Sequence, residues 1–284
     1  MNEGAPVVDE RAIFARVAAA LKPYLNHLIF VGGWAHRLYE IHPNSSPLDF
    51  SPLATLDADL ATPPDLPVID RPINVLLEEV GFKEHLGGEA NPPVSRYELG
   101  EGKVEFEVEF ITPLRGSEYK KGKPDATVTV AGITAQKLRY VDLLQVSPWP
   151  ILLSEELGYP VGAAPLRIQV PNPVSFIAQK TLALQYRSSL QKKAKDILYV
   201  HDTLHQFRMS FLTLRAEWNV VRDHMHPTTA KKFKDSQATI FTEHSAFVQL
   251  AASIARSTGR PHAPSAGLLA ATIRTAFGEI FVDD

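Results

Sequence analysis

The sequence predicts an α+β protein, in which an α/β front half is followed by an α-helical second half. Up to residue 147, short apolar runs of strand length alternate with helical patterns. A proline-rich stretch, Pro148–Pro173, separates the halves. Beyond it, apolar residues recur at helical spacing. We therefore expect an α/β domain over residues 1–147 and a mainly helical domain over residues 148–284.

The elements of the front half are predicted from apolar spacing and turn residues. In order, they are a helix at Arg11–Leu25, a strand at His27–Val31, a helix at Trp34–Ile41, a loop at His42–Pro52, a strand at Leu53–Ala61, a helix at Ile73–Val80, a hairpin of Val94–Leu99 and Lys103–Thr112 around Gly100-Glu101-Gly102, a strand at Ala126–Val130 and a helix at Thr134–Val146. The second half contains predicted helices at Phe176–Leu190, Ala194–Phe207 and Phe211–Arg222.

Composition excludes several classes of protein. The 284 residues are 45% hydrophobic and 21% charged, which is typical of a globular chain with a substantial core. There is no cysteine, so disulfides, thiolate metal sites and a cysteine nucleophile are excluded. No apolar run approaches the roughly 20 residues of a membrane helix, and Met1–Glu10 has no secretion-signal pattern. We expect a cytoplasmic protein without membrane contact.

The two signs of charge are segregated along the chain. Between Asp57 and Glu118 there are 14 acidic and 5 basic residues, a balance of −9. Between Val174 and Lys234 there are 11 basic and 4 acidic residues, a balance of +7. Such a distribution suits a nucleotide with its metal, or a polyanion, as binding partner.

A glycine pair and a pair of aspartates carry the first chemical signal. Gly32 and Gly33 follow an apolar run and precede a helical pattern, where free backbone N–H groups favour phosphate. Asp57 and Asp59 lie two residues apart in a predicted strand, so both side chains point to one face. Neighbouring carboxylates of this kind are typical of a divalent-metal site.

A third carboxylate is predicted from the alternating run Val104–Ile111. Its valines and phenylalanines lie on one strand face and its three glutamates on the other. If this strand neighbours the aspartate strand, one glutamate comes beside the aspartates. Glu109 is the first candidate and Glu107 the second.

A basic group follows Pro171-Asn172-Pro173. Lys180 and Arg187 are seven residues apart, which on one helix places them on one line, two turns apart. Lys195 and Asp196 follow in the next helical pattern. Lysine and arginine directed at one point suit the phosphates of a nucleotide.

Taken in order, these motifs resemble the nucleotidyltransferase superfamily related to DNA polymerase β. The shared pieces are Gly-Gly-x-Ala, Thr-x-Asp-x-Asp-Leu, Val-Glu-Phe-Ile-Thr-Pro and Val-Pro-Asn-Pro with the later Lys, Arg and Lys-Asp. Within the superfamily, the chain is most similar to the AbiEii-type (MenT-like) branch, which includes toxins of type IV toxin–antitoxin pairs. The resemblance spans Leu28–Leu204 and implies an α/β domain with a mixed sheet and a helical domain that completes the nucleotide site.

The resemblance also implies the role of each site residue. Gly32 and Gly33 would hold the triphosphate, and Asp57, Asp59 and Glu109 would bind two Mg²⁺ ions, with Mn²⁺ as an alternative. Lys180 would be a catalytic and nucleotide-binding residue, joined in nucleotide binding by Arg187, Lys195 and Asp196.

The expected reaction is NTP-dependent transfer of a nucleoside monophosphate to an acceptor hydroxyl, with release of pyrophosphate. RNA, in particular the tRNA 3′ end, is the favoured acceptor, in a toxin-type enzyme with a possible cognate antitoxin. The alternatives are a protein acceptor, an antibiotic acceptor, and a catalytically silent nucleotide- or RNA-binding relative.

Overall fold

In the computed structural model, residues 9–53, 55–100 and 105–282 are described. They divide into two compact units, each formed by separate stretches of chain. The sheet unit comprises the described residues of Met1–Trp34, Ala54–Arg139 and Pro150–Val170. The helical unit comprises those of Ala35–Leu53, Tyr140–Trp149 and Pro171–Asp284.

The described residues up to 139 form the main sheet, a separate two-stranded sheet of β6 and β7, and three α-helices, of which the second continues into the helical unit. The elements are α1 (Glu10–Ala20), β1 (Ile29–Val31), α2 (Gly32–Leu38), β2 (Asp57–Ala61), α3 (Ile73–Glu79), β3 (Lys83–Gly87), β4 (Val94–Gly100), β5 (Glu105–Pro113), β6 (Tyr119–Lys120), β7 (Lys123–Pro124), β8 (Thr127–Val130) and β9 (Ile133–Leu138). The predicted first helix ends earlier than expected, at Ala20, and a short 3-10 helix (Lys22–Tyr24) that contains Pro23 follows it.

The main sheet of the described residues is mixed, as predicted. Seven strands take part: β1, β2, β5, β4 and β3 are neighbours in that order, and β9 pairs with both β5 and β8. β2 and β9 run parallel to β5, whereas β1 pairs antiparallel with β2 and β4 antiparallel with β5. β5 is therefore a central strand.

Alternation of residue type fixes the two faces of β5. Phe106, Val108 and Phe110 are fully buried, whereas the intervening glutamates are exposed or half-buried. Aromatic packing continues on the buried side, where the Phe14 ring of α1 stacks on Trp34 with 4.0 Å between centroids. This core anchors one face of the strand and leaves its carboxylates on the other.

The rest of the chain contains a small hairpin and seven helices among the described residues. These elements are α4 (Val141–Leu144), β10 (Trp149–Leu153), β11 (Leu166–Val170), α5 (Pro173–Ala183), α6 (Leu190–Gln206), α7 (Phe211–His224), α8 (Pro227–Ile240), α9 (Ala246–Ser257) and α10 (Ala266–Ile280). In the helical unit, Tyr39, Phe176 and Phe207 form one aromatic cluster, and Trp218, Phe233, Phe277 and Phe281 form another.

The predicted helix at Thr134–Val146 is wrong. Its first part is strand β9, and only Val141–Leu144 is helical. β8 and β9 pair from Val130↔Ile133, so Ala131 and Gly132 form a two-residue hairpin turn. Both have positive φ, +47° and +86°, as a type I′ turn requires. Pairing with β5 and β8 overrides the helical spacing of this segment.

Other element boundaries also differ from the predictions. β2 begins at Asp57 rather than Leu53, and β3 was not predicted. The proline-rich stretch Pro148–Pro173 contains the β10–β11 hairpin. β4 and β5 pair antiparallel as predicted, and the Glu101-Gly102 part of the predicted turn lies outside the described residues. In the described part of the chain, no helix combines the length and apolar character needed to cross a membrane.

Candidate active site

Parallel pairing of β2 with β5 brings the predicted acidic residues side by side. In the register, Asp57 pairs with Glu107 and Asp59 with Glu109. Because residues two apart share a face, all four carboxylates lie on the side of the sheet opposite Val108 and Phe110. We call these four residues the acid cluster. The expectation that the glutamate strand neighbours the aspartate strand is therefore met.

Gly32 lies directly beside the acid cluster. It is the first residue of α2, with φ +64°, and follows Val31, whose register partner is Asp59. A Cβ at Gly32 would lie 2.2 Å from Asp59 Oδ2. Glycine is therefore required both by the backbone conformation and by the approach of the carboxylate. Gly33, the next residue of α2, is half-buried.

Arg96 is a cation on the neighbouring strand that the sequence did not single out. It lies on β4 opposite Glu109. Its Nε is 2.7 Å from Glu109 Oε1 and 3.3 Å from Glu107 Oε1. One guanidinium is thus in ionic contact with two of the four carboxylates.

Burial and neighbouring negative charges raise the pKa of both glutamates. Burial and the neighbouring Glu109 charge raise the pKa of Glu107 to about 7, against the opposing effect of Arg96. Burial and Asp59 raise the pKa of Glu109 in the same way. Close carboxylates with raised pKa values mark a site where negative charge exceeds the local positive charge.

The acid cluster fits a divalent cation by its chemistry. Carboxylate oxygens are the ligands that Mg²⁺ and Mn²⁺ prefer, and here they lie in adjacent register positions on one face. In this conformation, however, no three acidic or histidine side chains of the described residues converge to hold an ion. Glu107 and Glu109 point instead to Arg96.

The predicted basic residues meet on one buried carboxylate in the helical unit. Lys180 Nζ is 3.1 Å from Asp196 Oδ1, and Arg187 Nε is 2.8 Å from Asp196 Oδ2. The Lys180 side chain is only 7% exposed, and its Nζ lies 5.1 Å from the centroid of the Tyr199 ring. Lys195 Nζ lies 5.9 Å from that centroid.

The helical geometry assumed for Lys180 and Arg187 is wrong. α5 ends at Ala183, a 3-10 turn follows, and Arg187 has an extended backbone. The two cations meet because α6 carries Asp196 to both, not because they share a helix face. α5 begins earlier than predicted, at Pro173, where Asn172 Oδ1 accepts a hydrogen bond of 2.8 Å from Ser175 N.

A second buried ionic group was missed. Arg260 donates hydrogen bonds of 2.7 Å to both carboxylate oxygens of Asp202. Hydrogen bonds from His201 and Arg260 lower the pKa of Asp202, although burial acts to raise it. His36 is fully buried, and neither ring nitrogen has a hydrogen-bond partner. Burial lowers its pKa to about 4. Fifty-eight residues separate Asp202 from Arg260, so spacing gave no signal of their contact.

The acid cluster thus lies on two parallel strands of a mixed sheet, and Gly32, beside it, begins a helix. A family model described as nucleotidyltransferase matches residues 12–221, and the chain belongs to that family.

Among solved structures, the chain is similar to the crystal structure of an antigenic nucleotidyltransferase-like protein from Paracoccidioides brasiliensis. The two are 15% identical with a TM-score of 0.38, over 80% of this chain and 93% of that one. Comparison with curated protein sequences finds no match.

Proposed function

We propose that this protein is a metal-dependent nucleotidyltransferase that moves a nucleoside monophosphate from an NTP to an acceptor hydroxyl. The observation that carries the proposal is the register of β2 and β5, which sets four carboxylates beside the Gly32 turn. Family membership supports the same chemistry.

In the proposed reaction, the acceptor oxygen attacks the α-phosphorus of the NTP. The bond from that phosphorus to the bridging oxygen of the β-phosphate breaks, and pyrophosphate leaves with the electron pair. A carboxylate oxygen of Glu109 takes the proton of the acceptor hydroxyl. Asp57, Asp59 and Glu109 would hold Mg²⁺ or Mn²⁺, which would neutralise charge on the phosphates and activate the hydroxyl.

The glycine turn supports binding of the triphosphate. Gly32, which has φ +64° and no side chain, allows the backbone to approach a ligand closely. The nucleotide-binding roles of Lys180, Arg187, Lys195 and Asp196 rest on the family resemblance and remain proposals. Lys180 and Arg187 are both bound to Asp196 in this conformation.

RNA is the acceptor class that the charge pattern favours. Lys192 at the start of α6, and Lys231, Lys232 and Lys234 on α8, are exposed. Exposed lysines of this kind bind phosphates without regard to sequence. We propose the tRNA 3′ end as target and, from the resemblance to the AbiEii-type branch, a toxin-type role with a cognate antitoxin.

Incubation of the purified protein with Mg²⁺ and each labelled NTP, with and without total tRNA, tests the proposal. We expect label in tRNA for one NTP, and none with Asp57→Asn/Asp59→Asn protein. Glu105→Gln is the control, because it removes an exposed charge from the neighbouring strand β5, outside the acid cluster.

Each other outcome corrects a stated part of the proposal. Label on the protein itself would replace RNA by a protein acceptor. Label in tRNA that persists in the double variant would remove the acid cluster from the chemistry. If no arm is labelled although the protein binds NTP with Mg²⁺, the RNA proposal fails and a small-molecule acceptor or a silent binder replaces it.

A further inference from the structure

Arg96 contacts both glutamates of the acid cluster. Its guanidinium lies between Glu107 and Glu109, the carboxylates that β5 presents to the acid cluster. The contact is fixed by the sheet, because Arg96 and Glu109 are register partners of adjacent antiparallel strands. The arginine therefore neutralises part of the acid cluster from within the protein.

The strand on the other side of β4 leaves room for this side chain. Gly87 of β3 is within reach of Arg96, since a Cβ there would lie 3.5 Å from Arg96 Nε and 3.7 Å from Cδ. The Arg96 side chain remains 48% exposed. Because about half of this side chain already faces solvent, the guanidinium can move away from the glutamates without first being uncovered.

A divalent cation and Arg96 would compete for the same carboxylate oxygens. Glu109 Oε1 lies 2.7 Å from Arg96 Nε, so a metal ion on this oxygen would lie close to the guanidinium. Positive charges this close also repel each other. The absence of a convergent three-ligand group among the described residues agrees with glutamates held by Arg96.

We infer that Arg96 is an intrinsic counter-ion of the acid cluster, which a divalent cation must displace from Glu107 and Glu109 in order to bind. Arg96 thus acts as a positioning residue: it holds the glutamates in place before the cation binds and sets the affinity for that cation. The inference rests on the proposed function only in taking these carboxylates as cation ligands.

Titration of Mn²⁺, followed by electron paramagnetic resonance in the absence of nucleotide, tests the inference. We expect Arg96→Gln to bind Mn²⁺ roughly tenfold more tightly than the parent protein, because the competing charge is gone. Arg96→Lys, which keeps the charge, should remain close to the parent. Arg71→Gln is the matched control, because Arg71 is 49% exposed and pairs with Glu79 outside the acid cluster.

Unchanged or weaker Mn²⁺ binding by Arg96→Gln, in protein that still unfolds cooperatively, would overturn the inference. Absence of Mn²⁺ binding in both the parent and this variant would overturn it as well. The transfer assay on the same samples separates the two proposals. Tighter Mn²⁺ binding without transfer leaves the role of Arg96 standing and removes the proposed reaction, whereas transfer with unchanged Mn²⁺ affinity does the reverse.

Discussion

Two of the ionic groups of this protein, the one around Asp196 and the acid cluster, differ in the balance of their charges. In the helical unit, one carboxylate, Asp196, receives both Lys180 and Arg187. In the sheet unit, the guanidinium of Arg96 contacts two of the four carboxylates, those of Glu107 and Glu109. Cations outnumber the carboxylate in the first group, whereas two carboxylates contact one cation in the second.

This difference indicates which of the two groups depends on a ligand from outside the chain, such as a metal ion. A buried charge that is fully paired costs most when one partner is removed. A cluster of like charges costs stability while it is intact and is typical of binding or catalytic sites. We therefore expect neutralising substitutions to destabilise the helical unit and to spare or stabilise the sheet unit in the absence of metal.

Asp196→Ala should cause the largest change in the free energy of unfolding. It leaves Lys180, whose side chain is 7% exposed, without its carboxylate, and we expect a loss of about 3–5 kcal/mol in the free energy of unfolding. Urea denaturation measures the loss. Asp223→Ala is the control, because Asp223 is 74% exposed beside Arg222, and it should cost less than about 1 kcal/mol. Equal losses would remove the contrast between buried and exposed pairs.

His36→Phe should change how the stability of the helical unit depends on pH. Burial lowers the pKa of His36 from 6.5 to about 4. The positive charges of Arg260 and Lys180 also lower this pKa, whereas the negative charge of Asp202 raises it. The unfolded chain therefore binds more protons between these values, and stability falls as pH drops from 6.5 towards 4.

Phenylalanine cannot be protonated, and neither ring nitrogen of His36 has a hydrogen-bond partner to lose. At pH 4, we expect the variant to be more stable relative to the parent than at pH 7.5, by on the order of 3 kcal/mol. Urea denaturation at both pH values measures the difference, with exposed His262→Phe as control. Parallel pH profiles for His36→Phe and the parent protein would contradict the expectation.

Gly32→Ala tests how tightly the acid cluster depends on its turn. Alanine at φ +64° costs about 1–2 kcal/mol, and its Cβ would lie 2.2 Å from Asp59 Oδ2. Gly116→Ala separates the two effects, because Gly116 has φ +81° and nothing lies within 4 Å of a Cβ there. We expect Gly32→Ala to be the more destabilised in thermal unfolding and to lose Mn²⁺ binding, whereas Gly116→Ala should keep it. Similar behaviour of the two variants would mean that Asp59 tolerates the side chain.

Most of the acid cluster could be predicted because the pattern of neighbouring residues in the sequence indicates it. Alternation in Val104–Ile111 separates glutamates from apolar residues, and Asp57 and Asp59 share a face by the same rule. The mixed sheet was expected from the family resemblance. The contact with Arg96 depends on which strand lies beside β5 and in what register, and these are tertiary facts.

The wrong predictions also concern features that tertiary contacts decide. The segment at Thr134 has residues that suit a helix, and only pairing with β5 and β8 makes it a strand. The Ala131-Gly132 turn carried a weak signal for that hairpin. Lys180 and Arg187 were expected on one helix, but a 3-10 turn intervenes and α6 supplies their shared carboxylate.

Glu107→Gln should change the free energy of unfolding least, and it should raise this free energy where Asp196→Ala lowers it. Because the pKa of Glu107 is raised from 4.5 to about 7, the folded protein binds the proton more readily than the unfolded chain. Stability therefore falls as pH rises from 4.5 to 7, and the full cost is present above pH 7. Glutamine removes that cost, and screening limits the gain to less than about 1 kcal/mol at pH 8.

Metal-free urea denaturation of Glu107→Gln at pH 5 and pH 8 measures this gain, with Glu105→Gln as the exposed control on the same strand. We expect the variant to gain stability relative to the parent between the two pH values and the control to show no such gain. A loss of stability at pH 8 would show that Glu107 contributes more through Arg96 than it costs through Glu109. The acid cluster would then resemble the Asp196 group, and its excess charge would no longer indicate an external cation.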